Sequence, residues 1–420
     1  MPFSPRPGPD ALRDSIKKIG NHALYGTTRN IASTRRIRSS REASDNTMCN
    51  PCNQQAQNEV NTVTQSKFPF LKLTGSPKER GRQYGQACLS QIEKSIANYA
   101  AMFRDYNGID WNEARRTALS FLPFIKDYNP KTIEEMEGIA EGSGKDFEDI
   151  LTLNARSEIV LDRHVDGCTA FGVTPDVTSD GKTYLCQNWD WIRRQENSLV
   201  VIHLEQSPDP ALLMIAEAGI VSGKGMNSAG LGVGFNALTT GRGKPGVPVH
   251  ILLRGILDSP TLADAVQAVA EPERSSSGNF IVGNSEGEII DIEASPLDFW
   301  VFYAERGWLT HTNHLTAPNL VGWEKDRGKS ILPDTFQRFG RINRLLSEHE
   351  GRIDFDHCVA FLSDHRNYPD SICRHEDPRD PQGKQLASVY ATVMNLTDGC
   401  IWFSDSNPCL GAFTSFTSAE

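Results

Sequence analysis

Three features of this 420-residue sequence predict an α+β fold, a sandwich of two antiparallel sheets with helical outer layers. Apolar residues recur at helical spacing before position 168, strand-and-turn patterns dominate after it, and further helical segments fall between and after the hairpins. From the N-terminus, residues 1–67 are polar, rich in Pro, Arg, Asn, Ser and Thr, and lack the periodicity that buries a core, so they read as a disordered arm. The folded domain is expected over 68–415, with 416–420 as a tail. Ser76 and Pro77 mark a helix start, and Tyr84, Cys88, Ile92, Ile96, Tyr99 and Phe103 carry one amphipathic helix to about Phe103. A second runs from about Thr132 to Glu141. Thr169 to Thr174 reads as a strand, Ser179-Asp180-Gly181-Lys182 as a hairpin turn, and Thr183 to Trp191 as the returning strand. Strands follow at about Val200–Gln206 and Leu212–Glu217, with hairpins through Asn227-Ser228-Ala229-Gly230 and Asn284-Ser285-Glu286-Gly287. Ser259-Pro260 opens a helix to about Val269, and Asp334 caps another reaching about Leu346.

The bulk numbers fit a soluble enzyme. A hydrophobic content of 38% over this length suffices for one large core or two smaller ones. The net charge of −10 and pI near 5.6 leave no electrostatic footprint for nucleic acid. No apolar run approaches the ~18 residues of a membrane span. Nine cysteines without disulfide-rich spacing suit a reducing compartment, and a cytoplasmic location is expected. In the arm, Arg6, Arg13, Lys17, Lys18, Arg29, Arg35, Arg36, Arg38 and Arg41 outnumber Asp10 and Asp14, a bias shared with organelle-targeting segments. Its early prolines disfavour an amphipathic presequence, so a solvated tail fits better, and Arg35-Arg36-Ile37-Arg38 also fits a nuclear-import signal.

Asp166-Gly167-Cys168-Thr169 concentrates the chemistry. Glycine has no β-carbon, so the Gly167 carbonyl can swing within reach of the next thiol, the geometry of an N→S acyl shift. Hydrolysis of that thioester would leave Cys168 as a new N-terminus. Its α-amine, ordinarily titrating at about 7.7–8.0, nearly matches a thiol at about 8.5, so one residue supplies nucleophile and base. A Gly-Cys pair alone is weak evidence, because a buried cysteine is commonly a small hydrophobe. The hairpin, however, returns Asn188-Trp189-Asp190 beside Cys168.

DGCTAF followed by QNWDW, EAGI, GMNSAGLGVGFNAL, HTNH and YPDSICR resembles the acyl-coenzyme A:6-aminopenicillanic acid acyltransferase (isopenicillin N acyltransferase) family of N-terminal-nucleophile hydrolases. The likeness extends upstream through GSPKERGRQYG, EGIAEGSG and LNARSE, and covers about residues 68 to 415. It implies a four-layer αββα fold, Cys168 as nucleophile, cleavage after Gly167, and an α/β heterodimer from one precursor. It also implies Asn313 as the oxyanion-hole amide, Asp190 as the active-site carboxylate and Arg374 as the active-site arginine, with a backbone N–H near Trp191 as second oxyanion donor. Each has a plainer rival: Asn313 as a loop cap, Asp190 as a strand end, Arg374 as a surface arginine beside Asp370, His375 and Glu376. If functional, Arg374 either clamps a substrate carboxylate or braces Asp190. The expected activity is amide hydrolysis or acyl transfer on a small acyl-amide or acyl-thioester, with no metal or redox cofactor and acyl-coenzyme A only as a substrate. A β-alanyl-catecholamine-type hydrolase and a non-catalytic binding protein of the same fold are the alternatives. The C-terminus, Thr417 to Glu420, carries no peroxisomal tripeptide, unlike the penicillin-making members.

Other catalytic motifs fail their spacing rules. Met226 stands where a G-x-S-x-G elbow around Ser228 needs glycine. Lys224 and Lys244 are followed by Gly and Pro rather than Ser or Thr, so neither ends a phosphate loop. Cys49 and Cys52 form a lone C-x-x-C in the polar arm, and the histidines form no motif of metal-ligand spacing, His311 and His314 being read as flanking the site or capping a strand.

Overall fold

The computed structural model describes residues 66–160, 167–241 and 243–417. The expectations for the arm up to residue 65, for Cys49 and Cys52, and for the last three residues fall outside them. In chain order the strands are β1 (Phe70–Leu73), β2 (Gly167–Val173), β3 (Tyr184–Ile192), β4 (Leu199–Leu204), β5 (Leu212–Glu217), β6 (Lys224–Asn227), β7 (Leu231–Ala237), β8 (Gly278–Asn284), β9 (Ile289–Ala294), β10 (Phe299–Tyr303), β11 (Trp308–His311), β12 (Leu386–Asn395), β13 (Cys400–Ser404) and β14 (Phe413–Thr417). They form an eight-stranded sheet ordered β1-β4-β5-β6-β7-β8-β9-β10 and a six-stranded sheet ordered β11-β2-β3-β12-β13-β14. One pairing departs from the antiparallel expectation: β1 runs parallel to β4. The chain passes through a series of helices between β1 and the next strand, so no hairpin dictates the direction of β1.

The sheets stack face to face, and helices cover both outer faces, giving four layers in the order αββα. Helices Leu89–Met102, Val249–Asp258 and Leu262–Ala270 lie on the eight-stranded sheet, and Thr335–Glu348 and Phe355–Leu362 on the six-stranded one. Strand periodicity sorts the side chains of β2 between the two interfaces. Cys168 and Ala170 enter the core shared with the eight-stranded sheet, whereas Phe171 and Val173 pack with Ile342, Leu345 and Phe361 beneath the outer helices. The β2–β3 hairpin forms as expected and pairs Cys168 with Trp189 and Gly167 with Asp190.

Three helix expectations need correction. The segment after Ser76 is two helices, Pro77–Ala87 and Leu89–Met102, separated at Cys88, whose φ of −117° and ψ of 23° leave the helical region. Ser76 does form the capping box with Glu79. The helix near residue 260 starts at Leu262, and its cap is Thr261, which accepts from the Asp264 N–H, because the Ser259 hydroxyl donates back to the Gly255 carbonyl of the preceding helix. Asp334 does precede the helix Thr335–Glu348, but its side chain turns to Arg338 and Arg374 instead of capping. The helix Val249–Asp258 is buried almost all round, including His250 and Arg254 of its polar stripe.

The motifs GSPKERGRQYG and EGIAEGSG owe their glycines to one helix crossing. A Cβ on Gly81 would fall 2.0 Å from the Glu135 carbonyl oxygen, and one on Gly85 2.3 Å from that of Ile139. On the partner helix Pro130–Ser143, Gly138 and Gly142 lie equally close to the carbonyls of Lys78 and Arg82, with a Cβ at 2.2 Å in each case. Only backbones without side chains can touch there. Gly81→Ala or Gly138→Ala is therefore expected to lower unfolding stability in urea by about 1–3 kcal/mol through overpacking. Gly340→Ala, in open space on the exposed face of Thr335–Glu348, serves as control and is expected to be neutral or to stabilise by about 0.5–1 kcal/mol.

Candidate active site

Cys168 lies at the start of β2, its residue only 1% exposed. Its backbone N–H donates to Asn313 Oδ1 at 2.9 Å, so the amide nitrogen of the Gly167–Cys168 bond faces the predicted asparagine. The missing Cβ of Gly167 has a second reason beyond carbonyl freedom: it would sit 2.9 Å from the Asp190 Cβ and Oδ2. Asp190 thus packs on the glycine, on the face of the sheet opposite the Cys168 side chain.

A buried guanidinium that sequence reasoning missed holds this junction together. Arg338, on the first turn of Thr335–Glu348, donates to the Cys168 carbonyl, to Thr169 Oγ1 at 3.0 Å, to Asn313 Oδ1 at 3.0 Å and to Asp334 Oδ2 at 2.7 Å. Asp334 also accepts from Arg374. Arg374 in turn lies 3.5 Å from Asp190 Oδ2 and pairs with Asp370. Ser388 completes the chain, donating to Asp190 Oδ1 at 2.6 Å and accepting the Arg374 N–H at 2.9 Å. A bulge in β12 just after Ser388 aims it there. Burial opposes ionisation of Asp334, but Arg338 and Arg374 outweigh it and hold its carboxyl below the usual range. At Asp190 burial prevails and the carboxyl is raised despite Arg374 and Arg338. Arg374, 4% exposed and shared among three carboxylates, braces Asp190. It is not an exposed surface arginine.

Asn313 is placed by its loop. Its N–H donates to Thr335 Oγ1 at 2.8 Å, which ties the loop to the helix that carries Arg338. Glu293 on β9 accepts from the N–H groups of Thr316 and Ala317 and from His311 Nε2, all within 3.1 Å. His311 is buried, which disfavours its cation, yet Asp291 and Glu293 outweigh this and raise its pKa to about 9. His314 instead bonds Thr335 Oγ1, and burial lowers it to about 4. The Asn313 amide is oriented by its partners: Oδ1 faces two donors, while Nδ2 donates to the Ala237 carbonyl at 3.1 Å. Trp191 follows Asp190 on β3, pairs with Ala387 of β12, and stacks on Trp189 with Arg156 over its ring. Ser228 and Lys224 are structural, the first capping the Ala211 N–H and the second lying over the Trp189 ring. The neighbouring Asn188 donates to the carbonyls of Leu362 and Ile372.

One residue beyond Ala237 a cavity of about 260 Å³ opens, lined by Leu238, Thr239, Phe121, Glu158, Lys244 and Ser276 among others. Glu158 Oε1 accepts from the Val249 N–H at 2.8 Å and from Ser276 at 2.7 Å. Oε2 is shielded from solvent and has no hydrogen-bond partner among the described residues. Burial raises the Glu158 carboxyl pKa.

Residues 177–408 match the family described as acyl-coenzyme A:6-aminopenicillanic acid acyl-transferase, a span that contains Asp190, Asn313, Asp334, Arg338 and Arg374 and begins after Cys168. The 40 kDa form of acyl-coenzyme A:6-aminopenicillanic-acid-acyltransferase of Emericella nidulans is 30% identical over 320 residues, covering 75% of this chain and 87% of that one. Among solved structures, a mutant of conjugated bile acid hydrolase from Clostridium perfringens aligns at 15% identity with a TM-score of 0.43, covering 59% of this chain and 96% of that one. Penicillin V acylase from Agrobacterium tumefaciens aligns at 14% identity and a TM-score of 0.41, covering 60% and 87%.

Two outcomes are expected. Arg338→Met leaves Asp334 buried with one cation fewer and the Cys168 carbonyl without its donor, and should cost about 3–5 kcal/mol in denaturant unfolding. A histidine whose pKa folding raises lends stability fully below its unfolded value of about 6.5 and loses it as pH passes its folded value of about 9. The urea midpoint should therefore fall as pH rises between those limits, and His311→Asn should flatten that fall.

Proposed function

The chain belongs to the acyl-coenzyme A:6-aminopenicillanic acid acyltransferase family, and we propose that it is a self-cleaving cysteine amidohydrolase or acyltransferase of small acyl-amides or acyl-thioesters. The observation that carries this reading is the scissile nitrogen itself, held 2.9 Å from Asn313 Oδ1 while Arg338 grips the carbonyl on the other side of Cys168. Both flanks of the reacting residue are fixed. In the first step the Cys168 sulfur attacks the Gly167 carbonyl carbon, the C–N bond breaks, and the thiol proton passes to the departing nitrogen. Water then hydrolyses the Gly167 thioester, releasing a carboxylate and restoring the thiol. The new α-amine stays where Asn313 Oδ1 orients it and takes the proton of the Cys168 thiol in each later turnover.

Substrate attack develops negative charge on an acyl oxygen. Asn313 Nδ2 supplies one donor, turning from the Ala237 carbonyl, and a backbone N–H near Trp191 supplies the other. Arg338 adds positive charge beside the nucleophile and favours its thiolate. Asp190, braced by Arg374 and Ser388, supports the amine end of the site through its contact with Gly167. Water or an amine then takes the acyl group.

A second reading concerns the acyl donor. Glu158 lines the cavity beside Leu238 and keeps one buried carboxylate oxygen without a hydrogen-bond partner among the described residues, which favours a substrate with an amino group, such as a β-alanyl or other aminoacyl amide, over a purely apolar one.

Denaturing electrophoresis should show two fragments for wild type, the larger beginning at residue 168 and the smaller ending at 167, and an intact chain for Cys168→Ala. Incubation with acyl-amino acids, penicillins and acyl thioesters should trap an acyl adduct on the peptide starting at Cys168. Completed cleavage without any adduct across the panel would reject the catalytic assignment. Glu158→Gln is expected to reduce the preference for amino-bearing over neutral acyl donors by about tenfold or more, corresponding to a charge-assisted hydrogen bond of about 1.5–3 kcal/mol. An unchanged preference ratio rules out the second reading alone.

A further inference from the structure

The fold gathers four metal-binding side chains that the sequence keeps apart: His365, Cys373, His375 and Cys409. Their donor atoms all lie within 4.8 Å of one another. His375 Nε2 stands at the centre, 3.1 Å from His365 Nε2, 3.6 Å from Cys373 Sγ and 3.4 Å from Cys409 Sγ. A single ring nitrogen makes one hydrogen bond, so three neighbours converging on it are not explained by hydrogen bonding alone. A shared cation would account for them. With Zn–N of about 2.0–2.1 Å and Zn–S of about 2.3 Å, a tetrahedral ion separates its ligands by about 3.3 Å between two nitrogens and about 3.5 Å between nitrogen and sulfur.

We propose that His365, Cys373, His375 and Cys409 form a closed, tetrahedral site of two thiolates and two imidazoles for zinc. Such soft and borderline donors select zinc over calcium, magnesium or manganese. Four protein ligands leave no open position, so the ion is structural rather than catalytic. Binding exchanges two thiol protons for the ion, and two thiolates with one Zn²⁺ add no net charge next to the Arg374 carboxylates.

Position gives the site its consequence. Cys373 and His375 flank Arg374, whose carbonyl also accepts from Asn407 Nδ2 at 2.7 Å in the turn that carries Cys409. Zinc would fasten that turn, between β13 and β14, to the loop after Phe355–Leu362, and so hold Arg374 against Asp190. His365 is exposed, which leaves the ion a path to solvent. Motif spacing did not reveal the set, because only Cys373 and His375 are near neighbours in the chain.

The test is metal analysis of the full chain purified under reducing conditions without chelator. About one zinc per chain is expected in wild type and in a Cys49→Ser/Cys52→Ser variant, and a loss to near zero in Cys373→Ser/Cys409→Ser. Should that variant fail to fold, His365→Asn, at the exposed ligand, replaces it and should weaken zinc retention against a competing chelator at least tenfold. Cobalt exchanged into wild type should show the visible bands of tetrahedral thiolate coordination, and chelator should lower the melting temperature reversibly. Zinc absent from wild type together with no tetrahedral cobalt spectrum, zinc lost only from the Cys49/Cys52 variant, or a Cys373–Cys409 disulfide in place of metal would each overturn the proposal.

Discussion

Arg338 is the interaction on which the site depends. A guanidinium without solvent contact is tolerable only when its N–H groups are met by acceptors. Here the acceptors come from three separate parts of the chain: the Cys168 carbonyl and Thr169 on β2, Asn313 on the loop after β11, and Asp334 at the head of its own helix. Satisfying the arginine therefore determines how the Cys168 strand, the asparagine's loop and the outer helix meet. Removing any one acceptor leaves a buried donor behind, which makes the arrangement a single unit.

Asp334 links that unit to a second one. Its carboxylate is shared by Arg338 and Arg374, and Arg374 passes the constraint on to Asp190 and Ser388. The network crosses the six-stranded sheet from β2 to β12, and two ligands of the proposed zinc site, Cys373 and His375, flank Arg374. Glu293 performs a comparable service for Asn313 from the other sheet, gathering the N–H groups of the following residues and the buried His311. Positioning and charge balance are the same problem here, because a charge at this depth is stable only where its partner is fixed.

The chemistry follows from which atoms these contacts leave facing each other. The Cys168 amide nitrogen faces Asn313, the glycine before it packs on Asp190, and the cavity lined by Leu238 and Glu158 opens one residue beyond Ala237. Glu158, whose other oxygen is held by the Val249 N–H and Ser276, has a buried oxygen without a hydrogen-bond partner among the described residues, the feature on which the proposed preference for an amino-bearing acyl donor rests. Family membership supplies the kind of reaction; pocket polarity bears on the substrate.

By itself the sequence determined whatever is encoded over short distances. The Gly167–Cys168 junction, the hairpin that returns Asp190, the Ser76 helix cap and the β strands after residue 168 all rest on local turn chemistry, capping and side-chain alternation. Asn313, Asp190 and Arg374 stood out because short motifs carry them, and only the structure shows what they touch. Tertiary structure alone decided the rest. Arg338 meets Cys168 across 170 residues of sequence, Ser388 meets Asp190 across 198, and Asp334 looked like a helix cap until Arg338 and Arg374 drew its carboxylate away. The partner of a buried charge is chosen by three-dimensional proximity and by the need to satisfy every donor away from water, and no linear spacing records that choice.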